Sequence, residues 1–306
     1  MAPEPAYCGM PTFCKFPYSQ ELDGADAVVI GVPLDQAVTN RPGARFGPRA
    51  IRIASQLYGE VYEPVRGLYD IEMSKHVLAG ARIIDFGDVP VAPVIHEANM
   101  DAITETYGIF ARQGLLPVTL GGDHSIVFPI LRAFDVPLDV VHFDTHLDFM
   151  DDIEGKGLRF THANPIRRAS ELEHVQKITQ VGMRGLEVPK IDHREALEYG
   201  CRIITTREAV DNGPGWVLEQ VPVAENLYVT IDIDVLDPSV APGTGTPEPG
   251  GLSYNQLKDM VVGLPAKGRI VGFDIVEVCP PYDLSEITAL VAARLAIDLL
   301  GAILAK

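Results

Sequence analysis

Cysteine is scarce in this chain: there are four in 306 residues, Cys8, Cys14, Cys201 and Cys279. None forms a CxxC pair, which excludes a zinc knuckle or a dithiol redox motif. So few in so long a chain fits a reducing, cytoplasmic compartment rather than a disulfide scaffold. Basic charge is in deficit too, with 25 Lys and Arg against 42 Asp and Glu and a net charge of −17. That balance argues against nucleic acid or an anionic membrane as a partner and is compatible with a cationic substrate. No secretory signal is expected, because Met1 to Gly9 lack a basic stretch followed by an apolar one. The segment Ser285 to Leu304 is very apolar, but Arg294 and Asp298 interrupt it, so it is expected to be a buried core helix rather than a membrane span. No linker, low-complexity tract or repeat divides the chain. A single domain over residues 1–306 is expected, with residues 1–24 as an N-terminal extension.

What the chain does have is a series of short β-branched runs separated by helical stretches. The runs are Ala27–Val32, Arg82–Asp85, Pro117–Leu120, Asp139–Phe143, Lys177–Val181, Arg202–Ile204, Leu227–Ile231 and Ile270–Val276. Several are almost uniformly apolar, as strands buried on both faces must be. Their alternation with helices predicts an α/β fold, a parallel sheet covered on both sides. The Pro- and Gly-rich stretches 41–48 and 241–251 follow strand-like segments. They are expected as ordered loops on the carboxyl edge of the sheet, where open α/β sheets bind ligands.

Three of these runs end in acids and histidines. Val140-Val141-His142-Phe143 leads into Asp144-Thr145-His146-Leu147-Asp148, and Leu227–Ile231 leads into Asp232-Ile233-Asp234. The Pro117–Leu120 run leads into Gly121-Gly122-Asp123-His124-Ser125. Alternate side chains at a strand end point the same way, so Asp144 with His146, and Asp232 with Asp234, can face one pocket. Alone, each motif is as compatible with a capped strand end as with a metal site. Together they place four carboxylates and two imidazoles at neighbouring strand ends, where the acids would repel one another without a cation. The mixed O/N set, without thiolate, suits Mn²⁺ and also Ni²⁺, Co²⁺ or Zn²⁺. Two such ions about 3.5–4 Å apart can generate a nucleophile from water near neutral pH.

These motifs, GGDHS, DxHxD and a DxDxxDP preceded by Thr230 rather than the usual Ser, resemble those of the ureohydrolase (arginase/agmatinase) family, in family order. The blocks Arg41–Pro48, Ala241–Gly251 and Val276–Asp283 resemble its agmatinase branch. The resemblance implies an arginase-like three-layer α/β/α sandwich around an eight-stranded parallel sheet. It also implies one metal held by His124, Asp144, Asp148 and Asp232 and a second by Asp144, His146, Asp232 and Asp234, two Mn²⁺ or, in some members, Ni²⁺. Glu277 matches the guanidinium-binding acid and His162 the proton-shuttling histidine. With Asp148 these two form the expected catalytic set, and Asn164 joins Glu277 and His162 as a substrate contact. Asp123 is expected either to orient a ligand from behind or to cap its turn.

The implied reaction cleaves a guanidino group to urea and an amine. Agmatine is expected first, with 4-guanidinobutyrate, 3-guanidinopropionate or another small guanidine as alternatives. The loop 149–161 lacks the polar pattern with which arginases read an amino-acid head group. It offers Asp151, Asp152 and Glu154 to a distal ammonium, or Arg159 to a distal carboxylate, and Thr39, Asn40 and Arg41 are expected near the pocket. The family also implies a homo-trimer or homo-hexamer. With all six ligands present, a non-catalytic partner subunit and a deacetylase on the related fold are the weaker readings.

Overall fold

The computed structural model describes residues 4–305. The strands are β1 (Ala27–Val32), β2 (Leu68–Asp70), β3 (Lys75–Val77), β4 (Ile83–Asp88), β5 (Leu116–Gly121), β6 (Leu138–Phe143), β7 (Val175–Met183), β8 (Arg202–Thr205), β9 (Asn226–Asp232) and β10 (Arg269–Val276). Eight of them form one sheet in the order β4-β1-β5-β10-β9-β6-β7-β8, every pair parallel. All eight expected runs fall in it. The exception to sequence expectation is the small antiparallel pair β2–β3, whose three-residue strands carry no apolar run.

The helices are α1 (Gly47–Gly59), α2 (His96–Gln113), α3 (Val127–Leu131), α4 (Pro165–Ser170), α5 (Lys190–Tyr199), α6 (Thr206–Gln220), α7 (Tyr254–Gly263) and α8 (Ile287–Ile303). Two of their starts are written in the sequence: Thr205 with Glu208, and Ser253 with Gln256, form reciprocal capping boxes on α6 and α7. Helix α6 is broken at Gly213-Pro214, as a proline in a helix interior requires. Successive side chains of a strand go to opposite faces, so the sheet feeds two cores. Val29 of β1 belongs to the same core as Ile51, Val217, Leu257 and Leu295, from α1, α6, α7 and α8. Its neighbours Val28 and Ile30 belong to the other, with Ile103, Ile130, Ile166 and Ala196, from α2, α3, α4 and α5. The result is the three-layer α/β/α sandwich.

Residues 13–16 of the N-terminal extension are anchored to the core. Phe13, Cys14 and Phe16 are buried in the core on the α1 side, and the Phe13 and Cys14 amides donate to Asp85 (2.7 Å) and to Ser55 Oγ (2.8 Å). Helix α8 is buried along most of its length, as expected, and among the described residues no helix is long and apolar enough to cross a membrane.

Because the sheet is parallel, the carboxyl ends of all eight strands share one edge. The four adjacent central strands β5, β10, β9 and β6 end directly before or within the motifs around His124, Glu277, Asp232 and Asp144.

Candidate metal centre and active site

His124 sits one short turn after β5. Gly122 makes that turn possible: a Cβ there would lie 2.4 Å from the Val32 carbonyl oxygen and 2.7 Å from that of Leu34. Asp123 caps the turn, accepting from the Ser125 amide (2.9 Å) and the Ala37 amide (3.2 Å). Of its two expected roles, capping is the one its contacts describe. Burial and the Glu277 charge push Asp123 up to about 6.

His124 Nδ1 is the centre of the first group. It lies 3.1 Å from Asp144 Oδ2, 3.0 Å from Asp148 Oδ2 and 3.4 Å from Asp232 Oδ2. Its other nitrogen, Nε2, is 2.9 Å from Thr230 Oγ1. Thr230 spends its single hydroxyl proton on Asp274 Oδ1, 2.7 Å away, so it can only accept from His124 Nε2–H. The Nδ1 lone pair therefore faces three carboxylate oxygens, and this buried nitrogen makes no hydrogen bond. Four electron-rich atoms converging on one point is an arrangement that a divalent cation satisfies and that neutral packing does not. Burial and the charges of Asp234 and Asp144 push Asp232 well above the usual carboxylate range. The strain in this cluster is electrostatic.

The second group adjoins the first. His146 Nδ1 lies 3.4 Å from Asp144 Oδ1 and 3.3 Å from Asp234 Oδ2, and Asp144 belongs to both groups. The six residues expected as ligands are thus brought together. Every one of them is buried except His146, whose side chain is partly open to the pocket.

Sequence reasoning missed four supporting residues. His142 has ligand atoms close enough to join the first group. However, the Gln180 amide nitrogen, fixed by the Leu147 carbonyl (2.7 Å), reaches His142 Nδ1 at 3.1 Å. The His142 proton is therefore on Nε2, donated to Asp144 Oδ2 at 2.8 Å, and His142 orients Asp144 rather than ligating. Its place two residues before Asp144 on one strand face was the available signal. Asp274 buttresses Thr230, its register partner on the neighbouring strand. Arg184 ties the following loops, donating to the carbonyls of Asp234 (2.8 Å) and Glu248 (2.7 Å).

Glu277 follows β10 and is 1% exposed. Its φ of +60° lies in the left-handed region, a cost of about 1–2 kcal/mol for a residue with a Cβ. The Glu277 amide donates to the Gly122 carbonyl (2.9 Å), which holds it there. Its Oε1 accepts from the His124 amide (2.9 Å) and from His162 Nδ1 (3.1 Å). Asp148 also has positive φ, +51°. Thr39 donates its backbone N–H to His162 Nε2 at 2.9 Å. Burial lowers the affinity of His162 for a second proton, but the hydrogen bond and charge of Glu277 outweigh it and carry the imidazole up to about 9. Thr39 Oγ1 lies 2.7 Å from His162 Nε2, so Thr39 can accept from that nitrogen when the ring holds its second proton.

Asn164 departs from its expected place at the substrate. It is fully buried, accepting from the Thr161 amide (2.9 Å) and donating to the Met150 carbonyl (2.9 Å). Its amide ties down the loop that carries His162.

A cavity of about 480 Å³ opens beside the ligands. His146, Asp148, Asp232, Thr39 and His162 line it together with Phe149, Met150, Ile153 and Val188. The charged loop expected to reach the substrate closes largely on itself. Asp151 pairs with Arg168 (2.7 Å) and Arg159 (3.2 Å). Asp152 accepts from the Gly157 and Leu158 amides, both at 2.8 Å. Arg159 also reaches Glu171 (3.4 Å), and the Glu154 side chain lies outside the described residues. Arg41 turns aside to the Gly245 carbonyl (2.9 Å) and the Tyr282 ring, and Asn40 reaches the same carbonyl at 3.4 Å.

Comparison with known proteins agrees with this geometry. A sequence model of the Arginase family matches residues 25–301. A guanidinopropionase from Pseudomonas aeruginosa is 39% identical, over 97% of this chain and 92% of its own length. A mitochondrial guanidino acid hydrolase from Homo sapiens is 35% identical, over 98% of this chain and 86% of its own. The crystal structure of a hypothetical agmatinase from Burkholderia thailandensis superposes with a TM-score of 0.85 at 35% identity, over 97% of this chain and 91% of that one. With the sheet order, the clustered ligands and the family match in agreement, the chain belongs to the arginase family of ureohydrolases.

Proposed function

We propose that this guanidino hydrolase acts on agmatine, releasing urea and putrescine, with two manganese ions as its metal centre. The observation that carries the choice of agmatine is the charge of the pocket wall. Asp152, Glu187 and Asp192 line the cavity beyond the ligands, and among the described residues lining it there is no Lys or Arg. A substrate with a cationic far end suits that wall, and a carboxylate does not. In this reading one ion is held by His124, Asp144, Asp148 and Asp232 and the other by Asp144, His146, Asp232 and Asp234. When bound, the ions supply an activated water and offset charge that develops at the guanidino carbon.

The remaining work belongs to the chain's own groups. Glu277 pairs with the planar guanidinium through a charge-assisted bond. His162, tied to Glu277 and Thr39, is the group placed to hand a proton to the departing amine. The apolar side chains of Phe149, Met150, Ile153 and Val188 suit a methylene chain. A single domain and a cytoplasmic location, read from the composition, and a homo-trimer or homo-hexamer, read from the family resemblance, complete the reading.

Hydrolysis of a guanidino acid is the second reading, favoured by the guanidinopropionase at 39% identity. Urea release by the manganese-loaded protein from agmatine, 4-guanidinobutyrate and 3-guanidinopropionate separates the two. Agmatine as the best substrate is the result expected. A higher kcat/KM for either acid overturns the choice of substrate while leaving the reaction class in place.

A further inference from the structure

At the start of α5 stands a carboxylate with one oxygen left without a partner among the described residues. Asp192 is 7% exposed, and its Oδ2 is buried without a hydrogen-bond partner. A buried carboxylate oxygen left unpaired is costly, and sequence gave no reason to single this residue out. It borders the same cavity as His146, Asp148 and Asp232.

The other charges near it are already engaged or solvated. Asp152 is satisfied by two backbone amides, and Glu187 is exposed to solvent. Arg167, the nearby cation, is held by Glu195 and Glu171 and lies over the Phe149 ring at 5.4 Å. Burial and the charge of Glu195 raise the Asp192 carboxyl above its usual range, as befits an acid awaiting a cation.

We propose that Asp192 is a specificity-determining residue whose carboxylate binds the distal ammonium of the substrate. The proposal rests on the reading that the substrate is a guanidine with a cationic far end. The guanidinium then sits at Glu277, the methylene chain runs past Phe149 and Ile153, and the ammonium meets Asp192.

The test uses two amidines that cannot release urea. 6-Aminohexanamidine keeps the length and terminal ammonium of agmatine, and hexanamidine lacks only that ammonium. Calorimetry on the manganese-loaded wild type and on Asp192→Asn gives four affinities. We expect the wild type to bind the amino compound about 10- to 100-fold more tightly than hexanamidine, the range of one hydrogen bond between charged groups, and Asp192→Asn to erase the preference while leaving hexanamidine affinity unchanged. No preference in the wild type, a preference that survives in Asp192→Asn, or an equal loss of both ligands each overturns the proposal; the last marks Asp192 as structural only. Asp192→Glu keeps the charge and is expected to recover part of the preference. Urea release from agmatine is scored separately. A wild type that prefers the amino compound but releases no urea from agmatine keeps the subsite and sinks agmatine as substrate.

Discussion

The backbone amide of His124 donates to Oε1 of Glu277 over 2.9 Å, joining residues 153 positions apart in the chain. The residue proposed as a metal ligand and the acid proposed to grip the guanidinium are therefore fixed by the same bond. Glu277→Gln keeps an oxygen to accept from the His124 amide and removes the charge. Removing one partner of a buried charge pair costs about 2–5 kcal/mol. We expect kcat/KM for urea release to fall by about two orders of magnitude or more while bound metal stays unchanged. A variant that loses its metal instead would show that Glu277 acts through the ligands.

The same oxygen sets a pH dependence. His162 is raised to about 9 from an ordinary value of 6.5. Its contribution to stability is fully present below pH 6.5 and is lost as pH rises through about 9. We therefore expect the stability advantage of the wild type over Glu277→Gln, from urea unfolding curves, to shrink between pH 6.5 and 9.5. An advantage that stays flat over that window would mean that the Thr39 N–H keeps His162 singly protonated throughout.

Thr230 fixes the tautomer of His124. Thr230→Val removes the acceptor for Nε2–H and leaves Asp274 without its hydroxyl partner. Mutations behind a metal ligand typically cost 10–100-fold in affinity. We expect a loss of manganese affinity on that order, read by competition with a chelator, and near-complete retention in Thr230→Ser. Equal losses in both variants would locate the effect in packing.

Gly122→Ala tests the turn that delivers His124. The new methyl meets two backbone carbonyls that have no flexible end to swing away. Overpacking of this kind costs about 1–3 kcal/mol or more. We expect a lower denaturant midpoint together with less than full metal occupancy, since the turn moves His124 and the Glu277 amide at once. Wild-type midpoint and occupancy would show that the turn can relax.

Much of this was legible in local sequence. Runs such as Ala27–Val32 could be read because strands buried on both faces announce themselves as unbroken apolar stretches, and the ligands because an acid at a strand end and its neighbour two residues on share a side. What escaped depends on long-range pairing. Asp274 acquires its role from lying in register with Thr230, His142 from Gln180 on the neighbouring β7, and Asp192 from where a helix comes to border the cavity. Asn164 was misplaced because motif position says nothing of which way an amide turns, and here it turns inward to Met150. The pair β2–β3 escaped for want of any apolar pattern.

The sheet order carries a consequence for assembly. β10 is the last strand in the sequence, yet it lies between β5 and β9, which lead to His124 and to Asp232 and Asp234. Synthesis runs from the N-terminus, so a nascent chain emerges with every ligand before the spacer that sets their distance. Bringing His124 to Asp232 therefore waits on the final strand, whereas Asp144 and Asp232 stand on the neighbours β6 and β9 without it. The half of the site centred on His124 is the half that reports a finished sheet.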